Sequence, residues 1–168
     1  LVKTYCAAVN GLDVTTVTIE VSLTKGVMFR MTGLGDTAVR EGRDRMAAAL
    51  VNNGYLFPNA DITVNMAPAD LRKEGSGFDL PLAIGVLAAS KQIEPVGLDR
   101  IMLVGELGLD GSLQPVKGAL PIAMRAKADG FVALVVPQQN VREAAVVEGI
   151  RVYGMSQMKE VISMITGQ

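Results

Sequence analysis

Apolar and polar positions alternate through the first third of the chain. From Val14 to Val21 the residues are β-branched and alternating, the period of a half-buried strand. A short apolar run, Val2 to Ala8, precedes it, and Val27-Met28-Phe29-Arg30-Met31 follows the Lys25-Gly26 turn. Three strands joined by short glycine-containing turns predict an antiparallel meander.

The period then changes to that of a helix. Val39, Gly42, Met46, Ala49 and Leu50 share one helical face, Asp36 is placed to cap its start, and Gly54 suits a left-handed end. Glu41 and Arg45 stand at the supportive i,i+4 spacing. Ile62 to Met66 reads as a strand, followed by a long polar loop, Ala67 to Gly77. A second helix, from about Phe78 to Lys91, is apolar almost all round, which predicts burial on more than one side. Pro81 falls in its first turn, where proline is tolerated.

Beyond Pro95-Gly97, the runs Ile101 to Leu107 and Leu109 to Gln114 predict a strand pair around Gly108-Leu109-Asp110-Gly111. Helices are expected at 118–128, 141–147 and 156–165, with strands at 132–136 and 151–153 between them. No repeat and no linker interrupts the order. The pattern predicts one α/β domain with a mixed sheet across residues 1–168.

Composition narrows the function classes. Apolar residues make up 49% of the chain and mean hydropathy is +0.33, so a thick core or a docking surface is expected. The longest stretch without a charge, Met46 to Ala60, is broken by Asn52-Asn53-Gly54 and Pro58. It falls short of the roughly 18 apolar residues that cross a bilayer, and no secretory signal is read at the start. Sixteen basic and seventeen acidic residues give a net charge of −1, so any nucleic-acid contact must rest on a local patch. A single cysteine, Cys6, fits a reducing cytoplasm and reads as a buried thiol. The absence of histidine removes His-dependent triads and His metal sites. The chain also carries no phosphate-binding P-loop.

Three readings of the remaining chemistry stand open. Ser76, in Glu74-Gly75-Ser76-Gly77, and Lys117, ending Gln114-Pro115-Val116-Lys117, each precede a predicted helix and could form a serine–lysine dyad. The alternative is a loop hydroxyl and a solvated ammonium. Arg72 and Lys73 could grip a phosphate or a carboxylate, or simply be solvated. Asp70, Glu74, Asp79 and Glu106 could hold a hard cation, although no spacing specifies it.

The run from Val64 to Ile84, with its core Ala67-Pro68-Ala69-Asp70-Leu71-Arg72-Lys73-Glu74-Gly75-Ser76-Gly77-Phe78-Asp79-Leu80-Pro81, resembles the signature of the Mg-chelatase-like AAA+ ATPases of the YifB and ComM type. The likeness covers nearly the whole chain. It includes Gly33-Leu34, Asp36 to Glu41, Gly105 to Gly111 and Pro115 to Pro121. Gly35 departs from the family's usual proline.

The resemblance implies a single α/β (α+β) domain with a Lon protease-like fold, a mixed sheet and packed helices. It implies that an ATPase module, which would bind ATP and Mg²⁺, follows this domain, and that the fragment itself needs no cofactor. In Lon-type enzymes a serine stands ahead of the buried helix and a lysine in the helix after a proline-containing turn. Carried across, those positions fall on Asp79 and Leu120, while Ser76 and Lys117 each lie three residues early, about 4.5 Å along a helix. The expectation is therefore a non-catalytic domain in which Ser76 and Lys117 are decoys. Its role would be assembly of a cytoplasmic, hexameric ring, or guidance of DNA by Arg40, Arg43, Arg45, Arg72 and Lys73. No membrane partner is expected. A Ser-Lys peptidase and a pure oligomerisation module are the rival readings, and the magnesium-chelating chemistry in the family's name is not adopted.

Overall fold

The computed structural model describes residues 1–69 and 77–167. Its strands are β1 (Val2–Asn10), β2 (Asp13–Thr24), β3 (Phe29–Thr32), β4 (Asp61–Ala67), β5 (Ile101–Leu103), β6 (Glu106–Leu107), β7 (Leu113–Gln114), β8 (Ala133–Pro137) and β9 (Arg151–Met155). The helices are α1 (Asp36–Asn52), α2 (Asp79–Ala89), α3 (Ala119–Ala128), α4 (Val141–Ala144) and α5 (Met158–Thr166). Seven strands form one mixed sheet in the order β3-β4-β2-β1-β5-β8-β9, and β6 and β7 form a separate hairpin. The expected mixed α/β class is the observed one.

The alternation of β2 sorts its side chains by face. Val17, Ile19 and Val21 are buried toward α2, where a Cβ placed on Gly85 would lie only 2.8 Å from Val21 Cγ2. β1 contributes to the same face: the Thr4 hydroxyl donates to the Pro81 carbonyl at 2.9 Å. Cys6 is fully buried there, as expected, and burial pushes its thiol up to about 12. The opposite face of β1 meets α3 and its following loop through Val9 against Gly118 and Tyr5 against Phe131. Every residue of α2 from Asp79 to Leu87 is buried, which is why its sequence carries no polar stripe.

Three expectations need correction. The first three strands are not a meander. β1 and β2 pair antiparallel, but β4 then inserts beside β2, and β3 runs parallel to β4 on its outer side. β4 buries Ile62, Val64 and Met66 and outcompetes the four-residue, half-exposed β3 for the interior place. α1 is thus the crossover that a parallel β3–β4 pair requires. Second, Ile101 to Leu107 is not one strand. The Gly105 carbonyl accepts from the Leu80 N–H at 3.0 Å and its own N–H donates to the Gly77 carbonyl at 3.1 Å, so the chain leaves the sheet to hold the start of α2. Third, Gly35 rather than Asp36 occupies the cap of α1, and Asp36 sits in the first turn, where its charge suits the helix dipole.

The two buried helical glycines make opposite predictions. A side chain at Gly85 collides with Val21, whereas a Cβ at Gly42 finds its nearest atoms at 3.8 Å. Gly85→Val is expected to destabilise the fold by at least about 1–3 kcal/mol through overpacking. Gly42→Ala is expected to be neutral or to stabilise by up to about 1 kcal/mol through helix propensity. Urea midpoints of the two variants check this, and a shared sign would contradict the packing described here.

Candidate functional site

The start of α2 is the polar centre of the fold. Asp79 is 3% exposed, and both its carboxylate oxygens are hydrogen-bonded. Arg45, from α1, donates from Nε to Oδ2 at 2.8 Å and from Nη2 to Oδ1 at 3.1 Å. The Leu107 N–H, from β6, donates to Oδ2 at 3.0 Å. Gly42 lies one turn before Arg45, and a Cβ there would sit in ordinary contact, 3.8 Å from both Arg45 Nη2 and Asp79 Oδ1, so this face of α1 covers the pair.

Burial pushes the Asp79 carboxyl above its ordinary range, while the Arg45 fork and the Leu107 N–H pull it back. Arg45 is raised in turn, chiefly by its hydrogen bond to Asp79. A carboxylate engaged in this way orders three segments of the chain. It is poorly placed to serve as a nucleophile or as a cation ligand. Among the described residues no group of three or more acidic or cysteine side chains is arranged to hold a metal ion. Asp70 and Glu74 lie outside the described residues.

The proposed dyad positions fare differently. Ser76 lies outside the described residues. Lys117 is exposed just ahead of α3, where Gly118 adopts a left-handed φ of 81°. Gly77 does approach that segment, since a Cβ on it would lie 3.8 Å from Val116 Cγ1. The segment is held by buried Asn140, whose Oδ1 accepts from the Val116 N–H at 2.9 Å and whose Nδ2 donates to the Val116 carbonyl at 2.8 Å. The sequence offers no periodic signal for Asn140. Leu120 has no ionisable side chain, and its N–H donates to Glu143 Oε1 at 3.1 Å.

Of the arginines expected on a contact surface, Arg40 and Arg43 lie together and Arg45 does not join them. Arg40 and Arg43 line an open groove of about 540 Å³ between α1 and β3, with Phe29, Arg30 and Val39. The Arg43 guanidinium lies 5.0 Å over the Phe57 ring and 3.5 Å from Asp44. Arg30 reaches Asp61 at 3.4 Å, and the Met28 N–H, then Arg30, holds that carboxyl below its usual range. Arg30 was missed from sequence, although the exposed alternation of β3 points it outward. Arg45 instead turns to Asp79, and Arg72 and Lys73 lie outside the described residues.

Replacing Arg45 by methionine removes the pull on Asp79 and leaves the burial. A carboxyl raised in the folded state favours folding below its unfolded pKa, about 3.9, and that contribution is lost as pH rises. Arg45→Met is expected to cost roughly 3 kcal/mol near pH 7, and less as pH falls toward 4, by urea titration. A cost independent of pH would show that the variant does not leave a charged carboxylate unpaired.

Comparison with known proteins places this chain in a family. Residues 19–140 match the family model described as subunit ChlI of Mg-chelatase. YifB of Escherichia coli K12, itself uncharacterised, is 42% identical over 146 residues, which cover 86% of this chain and 29% of that protein. The competence protein ComM of Haemophilus influenzae is 40% identical over 165 residues, covering 98% of this chain and 32% of ComM. Lon protease 2 of Bacillus subtilis is 26% identical over 190 residues, covering 98% of this chain and 34% of the protease. The chain thus spans about a third of the length of the curated relatives it matches. With a family model matched over most of its length and relatives of about 40% identity, the chain belongs to the Mg-chelatase-like AAA+ family that includes YifB and ComM, and it is related to Lon protease.

Proposed function

We propose that this chain is the non-catalytic, N-terminal domain of an ATP-driven AAA+ motor, and that it guides DNA toward the motor. The observation that carries this reading is the groove between α1 and β3, where Arg30, Arg40 and Arg43 stand on one open surface. Guanidinium groups are planar forks that match phosphate oxygens in pairs. Three arginines against one aspartate, Asp36, give the groove lining a local positive excess although the whole chain carries a net −1, and a polyanion would compete with Asp61 and Asp44 for Arg30 and Arg43. The use of Asp79 as a structural anion, at the position implied by the likeness to Lon-type enzymes, supports a binding role over hydrolysis.

ATP and Mg²⁺ would belong to a separate ATPase module, since no glycine-rich P-loop occurs in this sequence. Assembly into a cytoplasmic homo-oligomeric ring would then come through that module.

Branched DNA should bind this domain with an affinity that falls as salt rises. Arg40→Ala/Arg43→Ala is expected to weaken binding and to reduce the slope of log K against log salt by about 2, one phosphate contact for each arginine. Fluorescence anisotropy across a salt series reads both quantities. No binding by the unsubstituted domain at low salt would overturn the DNA-guiding role.

A further inference from the structure

Two arginines of the groove between α1 and β3 are ion-paired, and the two pairs are built differently. Arg43 reaches Asp44, its own neighbour in sequence, at 3.5 Å, and both side chains are exposed. Such a pair is worth little in water, so a competing anion displaces it at almost no cost. Arg30 reaches Asp61 at 3.4 Å, and there the carboxylate is only 16% exposed against 55% for the arginine.

The surroundings of Asp61 explain the difference. It opens β4, beside the bend that leads from β2 into β3. Its Oδ1 accepts from the Met28 N–H at 2.8 Å, and the next residue, Ile62, donates its N–H to the Met28 carbonyl at 2.8 Å. A Cβ on Gly26 would collide with the carboxylate, so the bend closes directly over it. One oxygen is thus fixed by the backbone, and the other, Oδ2, faces Arg30. Swinging the carboxylate away would break the bond to Met28 and open the bend. Asp36 and Asp44, by contrast, are exposed on α1, and among the described residues neither accepts from a backbone donor.

A single Nη1 contact leaves the other donors of the Arg30 guanidinium in water, so this arginine is tethered and not buried. Its charge is nonetheless matched at short range by one that stays in place. A phosphate approaching Arg30 meets a pair, not a lone cation, and gains correspondingly less. We infer that Asp61 restrains this groove: it holds Arg30 back from polyanions and sets how many phosphates the groove neutralises, whereas Asp44 does not. The inference rests on the reading above, in which the groove takes DNA.

Two probes test it on the 168-residue chain: branched DNA by fluorescence anisotropy, and inorganic tripolyphosphate by calorimetry. Asp61→Asn keeps an oxygen for the Met28 N–H and removes the charge. It is expected to tighten both probes, DNA by about threefold to tenfold near 0.1 M salt, and to steepen log K against log salt by about 1. Asp44→Asn removes the same charge from the same groove and should give a smaller gain, under about twofold. Adding Arg30→Gln to Asp61→Asn should abolish the gain, which a general change in net charge or in the bend would not do. In the otherwise unsubstituted chain, Arg30→Gln should weaken DNA binding less than Arg40→Gln does, which reads the restraint without touching Asp61.

Equal gains from Asp44→Asn and Asp61→Asn would overturn the inference, as would equal losses from Arg30→Gln and Arg40→Gln. The two probes separate it from the functional reading. If DNA binds and Asp61→Asn binds it no more tightly, the restraint fails alone. If Asp61→Asn gains tripolyphosphate through Arg30 and neither form binds DNA, the fault lies with the functional reading. A groove that takes neither probe in any variant overturns both.

Discussion

A carboxylate cannot be buried at a helix start without partners, and in this protein the partners of Asp79 come from two other segments. Arg45 reaches it from α1 and the Leu107 N–H from β6. Leaving such a group charged and unpaired would cost several kcal/mol, so α1, α2 and the β6–β7 hairpin are placed together. The backbone bonds between Gly105 and the start of α2 reinforce this placement. The start of α2 is therefore a structural joint.

The joint leaves the outer face of α1 for other work. Arg45 points inward, and Arg40 and Arg43 line the groove beside β3 on the same helix. One arginine of this helix is thus committed to the core and two lie on the open groove. The sheet repeats the division: its middle strands supply buried residues such as Ile19, Val64 and Leu134, and arginine-bearing grooves lie at its two edges, β3 and β9.

Much of this was legible in the sequence because periodicity reports local structure. The alternation of Val17, Ile19 and Val21, the apolar face of α1 and the all-round apolar α2 each matched their elements. Strand order was not legible. Nothing local in Phe29 to Thr32 says that Ile62 to Met66 will take the place beside β2, since this depends on which strand buries more. The break at Gly105 was hidden because its cause, the amide of Leu80, lies 25 positions away in sequence. The pairing of Arg45 with Asp79 spans 34 positions and obeys no spacing rule. From sequence alone Arg45 therefore reads as a surface cation like its helical neighbours, and nothing local marks Asn140.

The energy coupling Arg45 to Asp79 holds this joint together, and a double-mutant cycle measures it directly. Unfolding free energies of Arg45→Met, Asp79→Leu and the double variant, all at pH 7, give the coupling. If the buried pair is the structural joint described here, each single change is costly, the double variant recovers much of the loss, and the coupling reaches about 2–3 kcal/mol. Additive losses, with coupling below about 0.5 kcal/mol, would contradict it.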